Sequence, residues 1–193
     1  MVVKAFAKIN LGLEVVRRRP DGYHDIRTLF QSIDLADTIN LEPSSDGRIR
    51  VEGDDPSVPW DRSNLVYRAA ALLQGKTGTP GGALIRVAKA VPAGKGLGGG
   101  SSDAALALYA LNRLWSLGLN PEALTDLALS LGSDVPYFLH GGLCLGESRG
   151  EALTRLDDFR PAPLRIGLPP VSDLHGRYLR RLRAVLDFRG QRQ

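Results

Sequence analysis

Residues Pro92–Ala105 read PAGKGLGGGSSDAA, and no other stretch limits the possible folds of this chain as strongly. Five of its residues are glycine, and Ser101 and Ser102 follow directly. An alanine- and leucine-rich pattern at helical spacing then runs from Asp103 to Trp115. A glycine-rich turn that opens a helix is a place to hold an anion. The first backbone N–H groups of a helix lack intrahelical acceptors, and the helix dipole adds partial positive charge at that end. Glycine lets the backbone approach phosphate oxygens with no Cβ in the way. The two serines can cap the helix, and their hydroxyls can also serve phosphate or a metal ion.

Which phosphate loop this is can be narrowed from spacing. The string G-x-x-x-x-G-K-[S/T] is absent; Lys95 lies inside the loop and Gly96 follows it. G-x-G-x-x-G is matched by Gly94, Gly96 and Gly99, but a run this rich in glycine matches it by accident. Its context is also wrong. A dinucleotide-binding first strand is buried on both faces and reads as continuous apolar sequence. Leu84–Val91 instead alternates, with Ile85 and Val87 set against Arg86 and Lys89, as a half-exposed strand does. The ribose-binding acid expected about 20 residues after the loop is missing as well, since the next acid beyond Asp103 is Glu122.

A third pattern, P-x-x-x-G-L-G-[S/G]-[S/G]-S-[A/S], is met by Pro92, Gly96, Leu97, Gly98, Gly99, Gly100, Ser101 and Ser102. It resembles the nucleotide-phosphate loop of the GHMP kinase superfamily of small-molecule kinases. Four further motifs follow the order of one branch of that superfamily. They are Ala7-Lys8-Ile9-Asn10-Leu11; Arg19-Pro20-Asp21-Gly22-Tyr23-His24 with Thr28-Leu29-Phe30; Asn64-Leu65 with Arg68-Ala69-Ala70; and Leu131-Gly132-Ser133-Asp134-Val135-Pro136 with Phe138. That branch phosphorylates the 2-hydroxyl of a diphosphocytidyl methylerythritol in the non-mevalonate route to isoprenoids (terpenoids). Phe6 departs from the pattern, which has proline there; the change touches backbone ahead of a strand rather than chemistry.

The resemblance implies an ATP- and Mg2+-dependent kinase with its parts at stated positions. Pro92, Gly94 and Gly96–Ser102 would hold phosphates, with Ser101 or Ser102 also on Mg2+. Asp134 would accept the hydrogen bond of the attacking hydroxyl, and Lys8 would supply the neighbouring positive charge. Tyr23, His24 and Phe30 would grip the cytosine, Asn10 would lie near the erythritol end, and Asn64 near the ATP base. The residue types suit these tasks. Phosphoryl transfer needs positioning and charge stabilisation more than covalent chemistry. An aromatic ring and an imidazole beside the Asp21-Gly22 turn suit a planar ligand. Plainer uses stay open at this stage: Phe30 as core, Asn64 as a helix cap before Leu65, Lys8 pointing to water, Asp134 as an ordinary turn residue.

Composition bounds the remaining classes. Cys144 is the only cysteine and reads as a small buried hydrophobe, so there is no intramolecular disulfide. His24, His140 and His175 are scattered and build no metal site with it. No leader or membrane-length apolar run is visible, so the expected location is cytoplasmic with no membrane partner. The net charge is +4, yet residues 149–193 hold ten Arg against five Asp or Glu, a local +5; residues 1–148 therefore carry −1. A folded body without a basic stripe argues against a nucleic-acid partner. Oligomeric state is not legible.

The elements expected are strands near 3–16, 26–41, 47–52, 83–91 and 142–147 and helices near 62–75, 102–116 and 121–131. This is an α+β pattern. The resemblance implies a GHMP kinase N-terminal domain, a mixed β-sheet with helices packed on one side, over residues 1–165. Residues 166–193 then read as a divergent Arg-rich tail, either a short helix or an out-of-frame remnant of a truncated C-terminal domain. On that reading the chain is expected to be a poor kinase or an inactive remnant. Another GHMP small-molecule kinase, such as a mevalonate-type enzyme, is the rival, and the Asp21–His24 stretch argues against it.

Overall fold

The structure, a computed structural model, describes residues 1–158 and 163–167. Two long strands, β1 (Val2–Arg18) and β2 (His24–Ser44), form an antiparallel hairpin that is the spine of the sheet. β3 (Ile49–Gly53) lies parallel to β4 (Gly82–Ala88), while every other pairing is antiparallel, so the sheet is mixed. Its order is β3-β4-β2-β5-β6, with β5 at Leu143–Glu147, β6 at Ala152–Arg155, and β1 also on β2. Since β1 occupies one edge of β2, β4 and β5 share the other, meeting Thr38–Ser44 and Thr28–Gln31 respectively.

Between those two contacts β2 has no strand partner on that edge. There, too, the hairpin register jumps, from Phe6↔Ala36 to Lys8↔Ser32. Irregular pairing of this kind commonly adjoins functional sites because it re-aims side chains. At that jump the glycine-rich stretch docks on β1: Lys8 N donates to Leu97 O at 2.9 Å, and Leu97 is buried with Ala7 and Val91 in a small second core.

The helices are α1 (Leu65–Thr77), α2 (Gly99–Leu114), α3 (Pro121–Leu131) and the single turn α4 (Tyr137–His140). α2 is central, touching α1, α3, α4, β1 and β2. Ala104, Ala105, Ala107, Leu108, Ala110 and Leu111 are fully buried in it, and the small side chains allow close approach. They pack with Leu73 of α1 and with Ile39, Leu41 and Ile85 of the sheet in one core. Caps follow the sequence: Asn64 Oδ1 accepts Val66 N at 2.8 Å, and Asn120 Oδ1 accepts Ala123 N at 2.9 Å ahead of Pro121.

Three expectations need correction. α2 starts at Gly99, three residues before the expected 102, because Gly98 takes the N-cap position at φ +73° with no side-chain cap; neither serine caps it. β4 ends at Ala88 rather than 91, because carboxylates replace strand partners: Asp54 accepts Lys89 N at 2.8 Å, and Asp37 accepts Ala90 N at 2.6 Å and Val91 N at 2.8 Å. Lys89, expected on the exposed side of the alternation, is buried. α4 and β6 were not anticipated; each has 4 residues, too short for periodicity to show. Most of the tail, beyond Gly167, lies outside the described residues. Among them, no helix is long and apolar enough to cross a membrane.

Candidate active site

The loop's glycines are conformational requirements. Gly94, Gly96 and Gly98 have φ of +68°, +77° and +73°, a region that L side chains disfavour. Gly98 is also sterically locked, since a Cβ there would meet Phe138 Cζ at 2.5 Å and Lys8 Cγ at 3.2 Å. The alternation turns the backbone so that α2 begins immediately after it. The amides of Gly99, Gly100 and Ser101 occupy the first turn, where N–H groups have no intrahelical acceptor; Ser102 N is the first to bond back, to Gly98 O at 2.9 Å. Ser102 Oγ is buried and donates to Phe6 O at 2.7 Å, tying the helix start to β1. Ser101 instead borders the cavity in front of the loop.

Beneath this turn lies a buried ion cluster. Lys89 Nζ is 2.7 Å from Asp103 Oδ2 and also pairs with Asp37, and all three side chains are almost wholly buried. A Cβ on Gly99 would stand 3.3 Å from Lys89 Nζ, so the helix start rests directly on the ammonium. Asp37 accepts two backbone N–H groups, whereas Asp103 Oδ1 has no partner. Burial therefore pushes the Asp103 carboxyl up to about 7 despite the attraction of Lys89.

Lys8 lies on β1 opposite the loop. Its side chain is 4% exposed, and its Nζ sits 3.5 Å from Asp134 Oδ2. Nζ also donates to Asn10 Oδ1 at 2.7 Å and stands 5.1 Å from the Phe30 ring centroid. Asn10 Nδ2 in turn donates to Thr28 Oγ1 at 2.7 Å, and Thr28 Oγ1 to Gly12 O at 2.8 Å. A chain of hydrogen bonds thus fixes the ammonium, as a buried cation requires. Asp134 sits in the turn between α3 and α4 and remains partly open to water.

These groups border one cavity of about 790 Å3, within the range of small-molecule sites. Lys8, Asn10, Asp134, Gly96, Gly98 and Ser101 border it around the loop. Tyr23 and His24 border it at the hairpin tip, and Phe30 contributes from the core, buried against Tyr137 at 4.8 Å between ring centroids. Of the remaining expected residues, Leu97 is buried as the loop's anchor, and Ser102 is committed to β1. Asn64 caps α1, and its Nδ2 donates to Pro59 O at 2.8 Å, so both ends of its amide are engaged away from the cavity lining. Pro92, Gly94, Gly99 and Gly100 shape the loop without lining the cavity. Arg18, Ser133 and Arg149 line it and were not singled out; Ser133 lay inside a quoted motif and Arg18 directly before one, but Arg149 carried no sequence signal beyond its share of the C-terminal basic excess.

A cation locked beside a partly open carboxylate thus faces a glycine-rich helix start across one cavity. The family description "GHMP kinases N terminal domain" matches residues 64–142, and that stretch carries this domain. Among curated proteins it is similar to the 4-diphosphocytidyl-2-C-methyl-D-erythritol kinase of Pelotomaculum thermopropionicum, 48% identical over 88% of this chain and 60% of that protein. It is also similar to that of Ralstonia nicotianae, 55% identical over 86% of this chain and 54% of the relative. A crystal structure of 4-(cytidine 5'-diphospho)-2C-methyl-D-erythritol kinase superposes with TM-score 0.69 at 44% identity, covering 81% of this chain and 55% of that one. A Methanococcus jannaschii mevalonate kinase shares the fold at TM-score 0.63 and 16% identity. The chain thus spans between half and about three-fifths of the length of these relatives.

Proposed function

We propose that this chain houses the donor and transfer machinery of a kinase that moves the γ-phosphoryl group of ATP to the 2-hydroxyl of 4-diphosphocytidyl-2-C-methyl-D-erythritol, in the cytoplasm. The observation that carries the proposal is the Lys8–Asp134 pair, 3.5 Å apart, bordering the same cavity as Gly96, Gly98 and Ser101. The identity with named kinases supports the choice of acceptor.

In this reading the amides of the first α2 turn hold the triphosphate oxygens, which the dipole favours. Asp134, half open and next to the cavity, accepts the proton of the attacking hydroxyl. Lys8 offsets the negative charge that builds on the transferred group. Asn10 fixes the Lys8 ammonium and offers its amide to the acceptor's hydroxyls. Tyr23 and His24 meet the acceptor's base. The donor set also fits Mg2+. No cluster of acids, His or Cys able to hold a metal exists among the described residues, and Mg2+ needs none when phosphate oxygens and water complete its shell around one hydroxyl, that of Ser101. Bound there, the ion would neutralise charge on the β- and γ-phosphates.

Binding is the sharper readout. The purified chain should bind Mg-ATP in calorimetry, and Asp134→Asn should leave that binding within about twofold while removing most of any acceptor-dependent ATP turnover. A folded chain that binds no Mg-ATP at millimolar concentration would overturn the proposal.

A further inference from the structure

At the hairpin tip the cavity contains a cation for which the transfer chemistry above has no use. Arg149 sits in the turn between β5 and β6, and its guanidinium carbon stands 5.1 Å from the centroid of the Tyr23 ring. Both side chains line the cavity. The turn that presents it is strained and held. Ser148 has φ +62°, one of two non-glycine residues with positive φ among the described residues, and Gly150 follows at +107°. Such conformations persist only where surrounding contacts enforce them. Here the enforcement is visible. Ser148 O accepts Ile26 N at 2.6 Å, docking the turn on β2. The Glu151 carboxylate accepts Arg149 N at 2.8 Å, Ser148 Oγ at 3.2 Å and Arg149 Nε at 3.4 Å. The Nη groups of Arg149 have no hydrogen-bond partner among the described residues. Tyr23 is fixed from its own side, with Asp21 Oδ1 accepting its N–H at 3.1 Å and its carbonyl accepting Arg19 N at 2.8 Å.

We propose that Arg149 is a specificity-determining residue of the acceptor end. It backs one face of Tyr23 and holds the ring, so the ring offers its other face as a pre-set platform for a planar heteroaromatic base. The inference rests on the proposed function, deepening its acceptor half: selectivity for a pyrimidine-bearing acceptor resides in an Arg–Tyr pair built by two separate turns. Guanidinium–ring contacts favour this stacked geometry, and a ring that needs no reordering binds its ligand more tightly.

The test compares cytidine 5'-diphosphate with ribose 5-diphosphate, which keeps the phosphates and lacks the base. Affinities are measured by calorimetry with Mg-ADP saturating the donor end, for the wild-type chain, Arg149→Ala, Arg149→Lys and Glu151→Gln. Arg149→Ala should weaken the cytidine compound about 5- to 10-fold and leave the base-less compound within twofold. Arg149→Lys should recover part of the loss, and Glu151→Gln should show a smaller loss of the same kind. Equal weakening of both compounds by Arg149→Ala would assign Arg149 to phosphate and overturn the inference, as would unchanged cytidine affinity. A wild-type chain that binds Mg-ADP but neither compound would instead overturn the acceptor half of the proposed function, and this inference with it. Unchanged Mg-ADP binding in each variant excludes misfolding as the cause.

Discussion

Two cations frame the site and are held in opposite ways. Lys89, under the phosphate loop, has a side chain 6% exposed between two buried carboxylates, whereas Arg149, at the hairpin tip, has a side chain 31% exposed against one glutamate that is 19% exposed. The first lies where water cannot screen it, so its removal strands charge. The second lies where water can replace each of its partners. The contrast separates rigidity from selectivity. The donor end of the cavity is rigid because its support is part of the core; the acceptor end is built from surface turns that can change without endangering the fold.

The largest test of this contrast is Lys89→Met. Asp37 and Asp103 would remain buried without their ammonium, and loss of about 3–5 kcal/mol is expected in chemical denaturation. Its pH dependence sharpens the point. The folded carboxyl of Asp103 is raised to about 7 from an ordinary value of 3.8. Between those values the folded chain binds more protons than the unfolded one, so this group's contribution is fully present below about pH 4 and declines as pH rises to 7. Wild-type stability should therefore fall over that window by a few kcal/mol at most, and Asp103→Asn should flatten the fall. The deficit of Lys89→Met should be smaller at pH 5 than at pH 8, because a protonated Asp103 needs no countercharge. A deficit independent of pH would show that Asp103 is not the group that takes up the charge imbalance.

The next test separates backbone from packing within the loop. Gly98→Ala meets both a left-handed φ and the Phe138 and Lys8 side chains, whereas Gly96→Ala meets only the φ of +77° with no atom within 4 Å. Gly96→Ala should cost about 1–2 kcal/mol. Gly98→Ala should cost more than that and should also displace Lys8, lowering any turnover, so thermal melts and activity should rank the two variants in the same order. Equal penalties would mean that Phe138 yields, and that the donor end is softer than its burial suggests.

What the sequence disclosed, and what it hid, follows the same division. The phosphate loop was legible because a positive φ demands glycine, and three such positions in alternation leave a mark in the residue string. The Asp21–Tyr23 turn was legible for the same reason, through Gly22 at φ +85°. Lys8 and Asp134 were assigned through a resemblance, since nothing local brings two residues so distant in sequence to 3.5 Å. Lys89 was misread as exposed because alternation reports only which face of a strand a residue occupies. Its burial is decided by Asp37, 52 residues away in sequence, reaching across the gap in β2 pairing. The early start of α2 was missed because serine is the better cap by propensity. A glycine in the left-handed region overrode it, freeing Ser102 for the Phe6 carbonyl and Ser101 for the cavity. Arg149 was hidden among the arginines of the C-terminal stretch, and only the β5–β6 turn distinguishes it from them.

The smallest effects are expected at that turn. Arg149→Ala should change stability by no more than about 0.5 kcal/mol, as for other partly exposed side chains without buried partners. Ser148→Gly is the finer probe. It relieves the positive φ of Ser148, which favours the folded state by up to about 1 kcal/mol, but it removes the 3.2 Å bond to Glu151 and loosens the chain when unfolded. These terms nearly cancel, so the melting temperature should shift by only a few degrees in either direction. Selectivity should not be spared in the same way. With the turn free to reorient, Arg149 spends less time over Tyr23, and the preference for a cytidine over a base-less diphosphate should narrow by about twofold. A variant that melts as the wild type does yet discriminates less would show that strain at Ser148 serves aim rather than stability. Unaltered discrimination would show that Glu151 alone holds the guanidinium in place.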